Sequence, residues 1–293
     1  MNAVRDLSQH HYLLSDFFKT PGSNEDWEKY KLSAEQVDFF HKNGYLAGIK
    51  MLDEWQVDSL CKQLAEIADP DHPAHHLFYE FHTNESSDPD AVLFHSLGHW
   101  RITEGFHDIL WNPAFVQAAS QLLGNVSVRF LHDQVFCKPA HHGGVVAWHQ
   151  DYSYWTFTAP MQHLTCWVAL DDATTENGCM HYVPGSHRWG LLERPELAGE
   201  MEGLMNFLSE EQKAAFKPIP IELKKGYGTF HHPLLVHGSY GNKSARSRRA
   251  FVLNVCSDGT KSNTDEEILD GIPMVPKGAN LNGQFFPLLF EVK

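Results

Sequence analysis

The sequence predicts a mainly β protein with helical additions: a sandwich or jelly roll of antiparallel strands preceded by helices. Three observations carry this. After Asn125, short runs of β-branched and aromatic residues recur between turn residues, at 126–137, 164–170, 180–183, 228–231 and 250–256. Before it, helix caps and helical apolar spacing dominate. The 293 residues are 42% hydrophobic and 20% charged without low-complexity tracts, which excludes disordered and fibrous classes and leaves a sizeable core. Many short strands separated by turns favour a jelly roll over a parallel α/β sheet.

Taken in order, the elements have local causes. Ser33 with Gln36 makes a capping box for a helix through Lys42 that Gly44 closes, with Val37, Phe39 and Phe40 on its buried side. Asp53 with Gln56 starts a second helix, carrying Val57, Leu60, Leu64 and Ile67 at helical spacing before Pro70. From Asp71 to Asp90 the chain is rich in Pro, His, Asp and Ser without period, which predicts a surface loop able to cover a site. Asn112 caps a third helix, with Pro113 at its first position and Gly124 past its end. Between strands, 188–225 is an insertion with one short helix capped by Ser209 and Gln212. The organisation is a single domain over 1–293: a mainly helical part at 1–125, a jelly-roll core at 126–257 and a C-terminal tail at 258–293.

Charge and cysteine bound the function classes. The 23 basic and 37 acidic residues leave a formal charge of −14, against a general nucleic-acid binder. The first 18 residues carry Asp6 and Asp16 where a signal peptide needs a basic end and an apolar run, and no segment reaches bilayer length. A cytoplasmic location without membrane association is expected. Cys61, Cys137, Cys166, Cys179 and Cys256 are odd in number and widely spaced, as reduced residues are.

Histidine is abundant, at twenty. The adjacent pairs His10-His11, His75-His76, His141-His142 and His231-His232 diverge on any regular element and point to no site. Spacing selects instead. His149 and Asp151 stand two apart, so on a strand both leave one face and can grip one ion, or simply hydrogen-bond each other. His237 ends the apolar, strand-like run Pro233 to Val236 before Gly238. Two imidazoles and one carboxylate form a facial triad, which on an octahedral Fe(II) leaves three positions open. Eleven residues on, Arg248 offers the guanidinium fork that a dicarboxylate co-substrate requires, with Arg246 and Arg249 as competitors or a solvated turn as the alternative.

The sequence resembles the phytanoyl-CoA dioxygenase family of Fe(II)- and 2-oxoglutarate-dependent oxygenases from about Leu32 to Cys256. The carriers are Gly44-Tyr45-Leu46, Lys138-Pro139, His149-Gln150-Asp151, Trp167 to Asp171, Glu176-Asn177-Gly178-Cys179, Val183 to His187, and His237-Gly238-Ser239 through Arg248. The resemblance implies a double-stranded β-helix, cupin-like, with the N-terminal helices packed on one sheet, as a single catalytic domain. It implies iron on His149, Asp151 and His237, the distal carboxylate of 2-oxoglutarate on Ser239 and Arg248, and Trp167 and Gln134 on the co-substrate wall. Spacing within the family chooses Arg248 over Arg249. Gly185-Ser186-His187 reads as a structural turn.

Halogenating relatives carry a small residue where Asp151 stands, so the resemblance implies hydroxylation or a related C–H oxidation, with O2 consumed and 2-oxoglutarate converted to succinate and CO2. No separate acid or base is required. Tyr152, Tyr154, Trp155 and Phe157 form an aromatic cluster on the expected substrate side. The acidic balance disfavours an acyl-CoA and favours a free small-molecule substrate. Two alternatives share part of the pattern. A cupin-like metalloenzyme without 2-oxoglutarate would not need Arg248, and a non-catalytic small-ligand binder of this fold would be expected to have a broken triad.

Overall fold

A computed structural model describes residues 4–69 and 71–292; Pro70, expected to stop the second helix, lies outside them, as do 1–3 and 293. The helices are α1 (Asn24–Glu28), α2 (Ala34–Asn43), α3 (Glu54–Ile67), α4 (Glu104–Asp108), α5 (Pro113–Leu122) and α6 (Glu210–Ala215). The strands begin with β1 (Tyr45–Lys50), β2 (Glu80–His82), β3 (Phe94–Leu97), β4 (Val128–Lys138), β5 (Val146–His149), β6 (Thr158–Ala159) and β7 (His163–Ala169). They continue with β8 (Met180–Tyr182), β9 (Ile219–Ile221), β10 (Tyr227–His231), β11 (His237–Ser239), β12 (Arg248–Ser257), β13 (Lys261–Ser262) and β14 (Leu288–Phe290).

Local chemistry sets the helix ends. Ser33 and Gln36 bond each other's backbone N–H groups at the start of α2, and Gly44 ends it at φ 83°, a left-handed conformation suited to glycine. The same reciprocal bonding starts α6 from Ser209 and Gln212. On α3, Val57, Leu60, Leu64 and Ile67 are buried as their spacing predicts, each contributing about 1.5–3 kcal/mol of apolar transfer. On α2 only Phe40 is buried; Phe39 is 42% exposed, because neighbouring positions on a helix are rotated by about 100° and cannot share one face.

Two antiparallel sheets form the double-stranded β-helix expected. The larger has eight strands in the order β1-β10-β7-β12-β4-β3-β2, with β14 added to β4, and the smaller runs β5-β11-β8-β9. The central strands are buried on both faces by alternation. Leu164, Cys166 and Val168 of β7 and Phe251, Leu253 and Val255 of β12 pack outward under the helices. Phe115 of α5 stacks on Phe230, and Phe106 of α4 meets Phe251 edge-on. The opposite faces of these strands, with Trp167, Ala169 and Val252, meet Met180 and Tyr182 of the smaller sheet.

Several segments depart from the sequence reading. Strand β1 follows Gly44 directly, and the 71–90 segment contributes β2, so the N-terminal half supplies strands to the edges of the large sheet. Strand β9, within 188–225, pairs with β8, and β14 of the tail pairs with β4. These strands are only three to six residues long, too short for their periodicity to stand out. All five cysteines are free thiols. No helix among the described residues is long and apolar enough to cross a membrane.

Candidate active site

Strands β5 and β11 pair so that His149 lies directly opposite His237. His237 opens its strand, where the sequence reading had it end one: residues 233–236 run as buried loop, and Gly238 lies within the strand. A Cβ on Gly238 would come within 2.9 Å of Val146 O and 3.2 Å of the Trp148 ring, so the sheet closes here only around glycine. Asp151 lies beyond the end of β5, first in a 3₁₀ turn over Asp151–Tyr154. Gln150 keeps an extended backbone (φ −118°, ψ 131°), so the alternation continues and Asp151 returns to the side of His149.

His149, Asp151 and His237 form the metal-compatible cluster of the described residues, with donor atoms all within 4.8 Å of one another and every residue buried. Both imidazole Nε2 atoms stand 3.4 Å from Asp151 Oδ1. Their Nδ1–H groups donate to backbone carbonyls, His149 to Ala147 O at 2.7 Å and His237 to Leu235 O at 2.9 Å. That fixes the tautomer and turns the Nε2 lone pairs toward the shared centre. Burial and the neighbouring His237 push the His149 pKa down, keeping that imidazole neutral.

The other oxygen of Asp151 is held by residues the sequence reading passed over. Thr165 Oγ1 donates to Oδ2 at 2.6 Å, and His231 Nε2–H donates to it at 2.8 Å, with Tyr182 OH donating to His231 Nδ1 at 3.0 Å. The pair His231-His232 is thus no bland pair: register places His231 opposite Thr165 in the large sheet. Burial works against the Asp151 charge, yet His237 and His231 hold its pKa well below the usual carboxylate range.

The cluster opens into a cavity of about 210 Å³. Ser239, Arg248, Trp167 and Gln134 all line it. Arg248 is 1% exposed; Nη2 donates to Gly178 O at 3.1 Å, while Nε and Nη1 have no partner. Its guanidinium lies 5.5 Å from the Trp167 ring centre, and burial pushes its pKa down to about 10. Alternation along β12 sends Arg249 to the opposite face, where it forms a fork with Asp171 at 2.7 and 2.8 Å. Of the aromatic cluster, Tyr154, Trp155 and Phe157 line the cavity and Tyr152 does not. Tyr152 donates to Thr158 O at 2.7 Å and packs against the helical core. In a 3₁₀ turn residues three apart eclipse, so Tyr154 follows Asp151 and Tyr152 is turned away.

The cavity lining includes a polar relay of His95, Gln134, His132, Asn254, Thr165 and Asp151, with Glu85 behind it on His95, in steps between 2.6 and 3.5 Å. Tyr154 and Trp155 add aromatic rings to the lining, Trp155 edge-on to His132 at 5.4 Å between ring centres. At the mouth Glu80 and Arg194 contribute one charge of each sign, and Arg194 stacks 4.4 Å from the Tyr154 ring centre.

A family model described as phytanoyl-CoA dioxygenase matches residues 40–250. The chain is 28% identical to a phytanoyl-CoA dioxygenase of Arabidopsis thaliana, over 81% of this chain and 93% of that one. Among solved structures it is similar to the non-heme alpha ketoglutarate dependent carbocyclase SnoK from nogalamycin biosynthesis, with a TM-score of 0.72 and 20% identity over 92% of this chain and 100% of that one. It is also similar to the epimerase SnoN in complex with Fe3+, alpha ketoglutarate and nogalamycin RO, with a TM-score of 0.71 and 21% identity over 91% and 100%.

Proposed function

The chain belongs to the phytanoyl-CoA dioxygenase family, and from that premise we propose that it is an Fe(II)- and 2-oxoglutarate-dependent dioxygenase oxidising a C–H bond of a small polar molecule. In this reading His149, Asp151 and His237 hold Fe(II), Ser239 and Arg248 take the distal carboxylate of 2-oxoglutarate, and Trp167 and Gln134 bound the co-substrate. The observation that carries it is the pairing of a three-donor cluster with Arg248, a buried guanidinium in the same cavity with two N–H groups unpartnered. Unpaired buried donors on a charged group are costly, and a carboxylate relieves that cost.

The donor set fits the metal. Two imidazoles and one carboxylate, each oriented through its second polar atom, suit a ferrous ion with positions left open. Bound there, Fe(II) supplies the oxidising chemistry together with O2 and 2-oxoglutarate, which leaves as succinate and CO2. The residues themselves would orient and desolvate: with its carboxylate as a ligand, Asp151 would leave no place for an added halide, which favours hydroxylation or a related oxidation over halogenation.

For the substrate, the cavity lining offers the hydrogen-bonding groups of the polar relay together with the rings of Tyr154 and Trp155. A bare acyl chain would leave the relay unmatched. An acyl-CoA would carry its phosphates past Glu80 and the exposed Glu193, Glu196 and Glu200 beside Arg194, an acidic approach unsuited to a polyanion.

The test is succinate formation from 2-oxoglutarate in air with Fe(II) and ascorbate, across a panel of free polar small molecules and acyl-CoA thioesters. Slow turnover by the protein alone, stimulation by free polar compounds, and loss in His237→Ala are expected. Stimulation by acyl-CoA alone would overturn the substrate reading. Succinate formation unchanged in His237→Ala would overturn the metal site.

A further inference from the structure

Behind the part of the cavity lining formed by Ser239 and Arg248 lies a second buried cation. Lys138 closes β4 and lies directly opposite Arg248, which opens β12. Opposed residues on antiparallel strands leave one face with Cβ atoms about 5 Å apart, and like charges so placed are destabilising. Here both are buried as well, Lys138 at 0% and Arg248 at 1% exposure. A fold that buries two adjacent cations does so at a cost that a bound anion offsets.

The partners of the pair supply no such anion. Lys138 Nζ donates to Ser239 O at 3.1 Å, Ser239 Oγ at 2.7 Å and Tyr240 O at 2.6 Å, and Arg248 donates to Gly178 O. All four are neutral oxygens. Gly178 is part of this packing: its φ is +80°, and a Cβ there would meet Tyr240 O at 2.3 Å and the Lys138 side chain at 3.4 Å. Burial and the neighbouring Arg248 push the Lys138 pKa well below its usual value, as expected for a cation lacking a counter-charge.

The contact to Ser239 Oγ has a directional consequence. A hydroxyl that accepts from an ammonium directs its own O–H elsewhere. Ser239 and Arg248 both line the cavity, so the Ser239 O–H is free to turn into the space that Arg248, with Nε and Nη1 unpartnered, also borders. We infer that Lys138 is a positioning residue for the distal carboxylate of the co-substrate: its ammonium aims the Ser239 hydroxyl into the cavity and, with Arg248, builds a doubly cationic end that selects a dicarboxylic 2-oxo acid over a monocarboxylic one. The inference rests on the co-substrate reading proposed above. A purely structural role, stapling the Ser239–Tyr240 turn through its carbonyls, would leave that selection untouched.

The experiment compares binding of 2-oxoglutarate and 2-oxobutyrate, which lacks the distal carboxylate, to the Zn(II)-loaded protein by calorimetry. Succinate binding to the metal-free protein is a second readout. The wild type prefers 2-oxoglutarate by at least 100-fold. Lys138→Met narrows that preference at least 10-fold by weakening 2-oxoglutarate and succinate while sparing 2-oxobutyrate. Ser239→Ala has a comparable effect, and the double variant is little worse than either single one. A folded Lys138→Met protein with its preference within twofold of wild type overturns the inference alone. A wild type that binds both acids equally, or neither, overturns the co-substrate reading with it. Should Lys138→Met fail to fold, Lys138→Gln, which keeps a hydrogen-bond donor but removes the charge, is measured in the Arg248-containing protein instead. It must narrow the preference at least threefold, and an unchanged preference refutes the role.

Discussion

Replacing Arg248 by Met separates ligand binding from stability in one substitution. Two guanidinium donors, Nε and Nη1, are free for a carboxylate, and a charge-assisted hydrogen bond contributes about 1.5–3 kcal/mol. Losing both therefore costs about 3–6 kcal/mol of binding, or roughly 10²- to 10⁴-fold in 2-oxoglutarate affinity. The ligand-free protein should respond in the opposite direction. Met is of similar length, and the substitution removes a buried cation that faces Lys138 across the ladder; it forfeits the 3.1 Å bond to Gly178 O, which contributes about 1 kcal/mol. The melting temperature without ligand should hold or rise by about 2–4 °C, the shift that roughly 1 kcal/mol produces in a large domain. Calorimetry with 2-oxoglutarate and thermal melts of the metal-free protein read the two effects. An affinity change below threefold, or a melting temperature lowered by more than about 5 °C, would refute the reasoning.

Arg249→Ala is the neighbouring control: its pair with Asp171 is partly solvated, so stability should fall by only about 0.5–1 kcal/mol and 2-oxoglutarate binding should stay within twofold. A larger binding loss would mean that the two arginines have been assigned to the wrong faces. His231→Phe removes a donor from Asp151 Oδ2 and should weaken metal binding by about 10- to 100-fold in a competition titration, with wild-type affinity contradicting its orienting role. Acid sensitivity follows from buried neutral histidines, whose folded pKa values burial depresses to about 3 for His99 and His163 and about 4 for His132. Below about pH 6.5 the unfolded chain takes up protons that these folded residues refuse. Stability is thus fully present above that pH and lost as pH falls toward 4, by up to about 1.4 kcal/mol per histidine per pH unit. A melting temperature flat between pH 6.5 and 5 would contradict this.

Local rules carried much of the architecture. The capping boxes at Ser33, Asp53 and Ser209 each start a helix, and alternation along β12 sends Arg248 inward and Arg249 outward. The residues that hold Asp151 were not legible in the same way. Thr165 and His231 come from separate strands, and only the register between β7 and β10 brings them to one carboxylate. The same holds for Lys138, which stood out in the sequence as part of Lys138-Pro139 but acquires a role only through its cross-strand partner. Strands β5, β8 and β11 have three or four residues each, so the smaller sheet is defined by pairing and not by periodicity. Tyr152 was misplaced because the residues after His149-Gln150-Asp151 tighten into a 3₁₀ turn, whose period of three brings Tyr154 and not Tyr152 beside the metal cluster.

The most direct measurement is an anaerobic titration: Fe(II) is added to the metal-free protein, then 2-oxoglutarate, while the visible spectrum is followed. A charge-transfer band is expected that grows to one equivalent of each, is lost in His237→Ala, and requires far more 2-oxoglutarate in Arg248→Met. A folded protein that binds Fe(II) yet develops no visible band with 2-oxoglutarate, or one whose band is indifferent to His237, would contradict it.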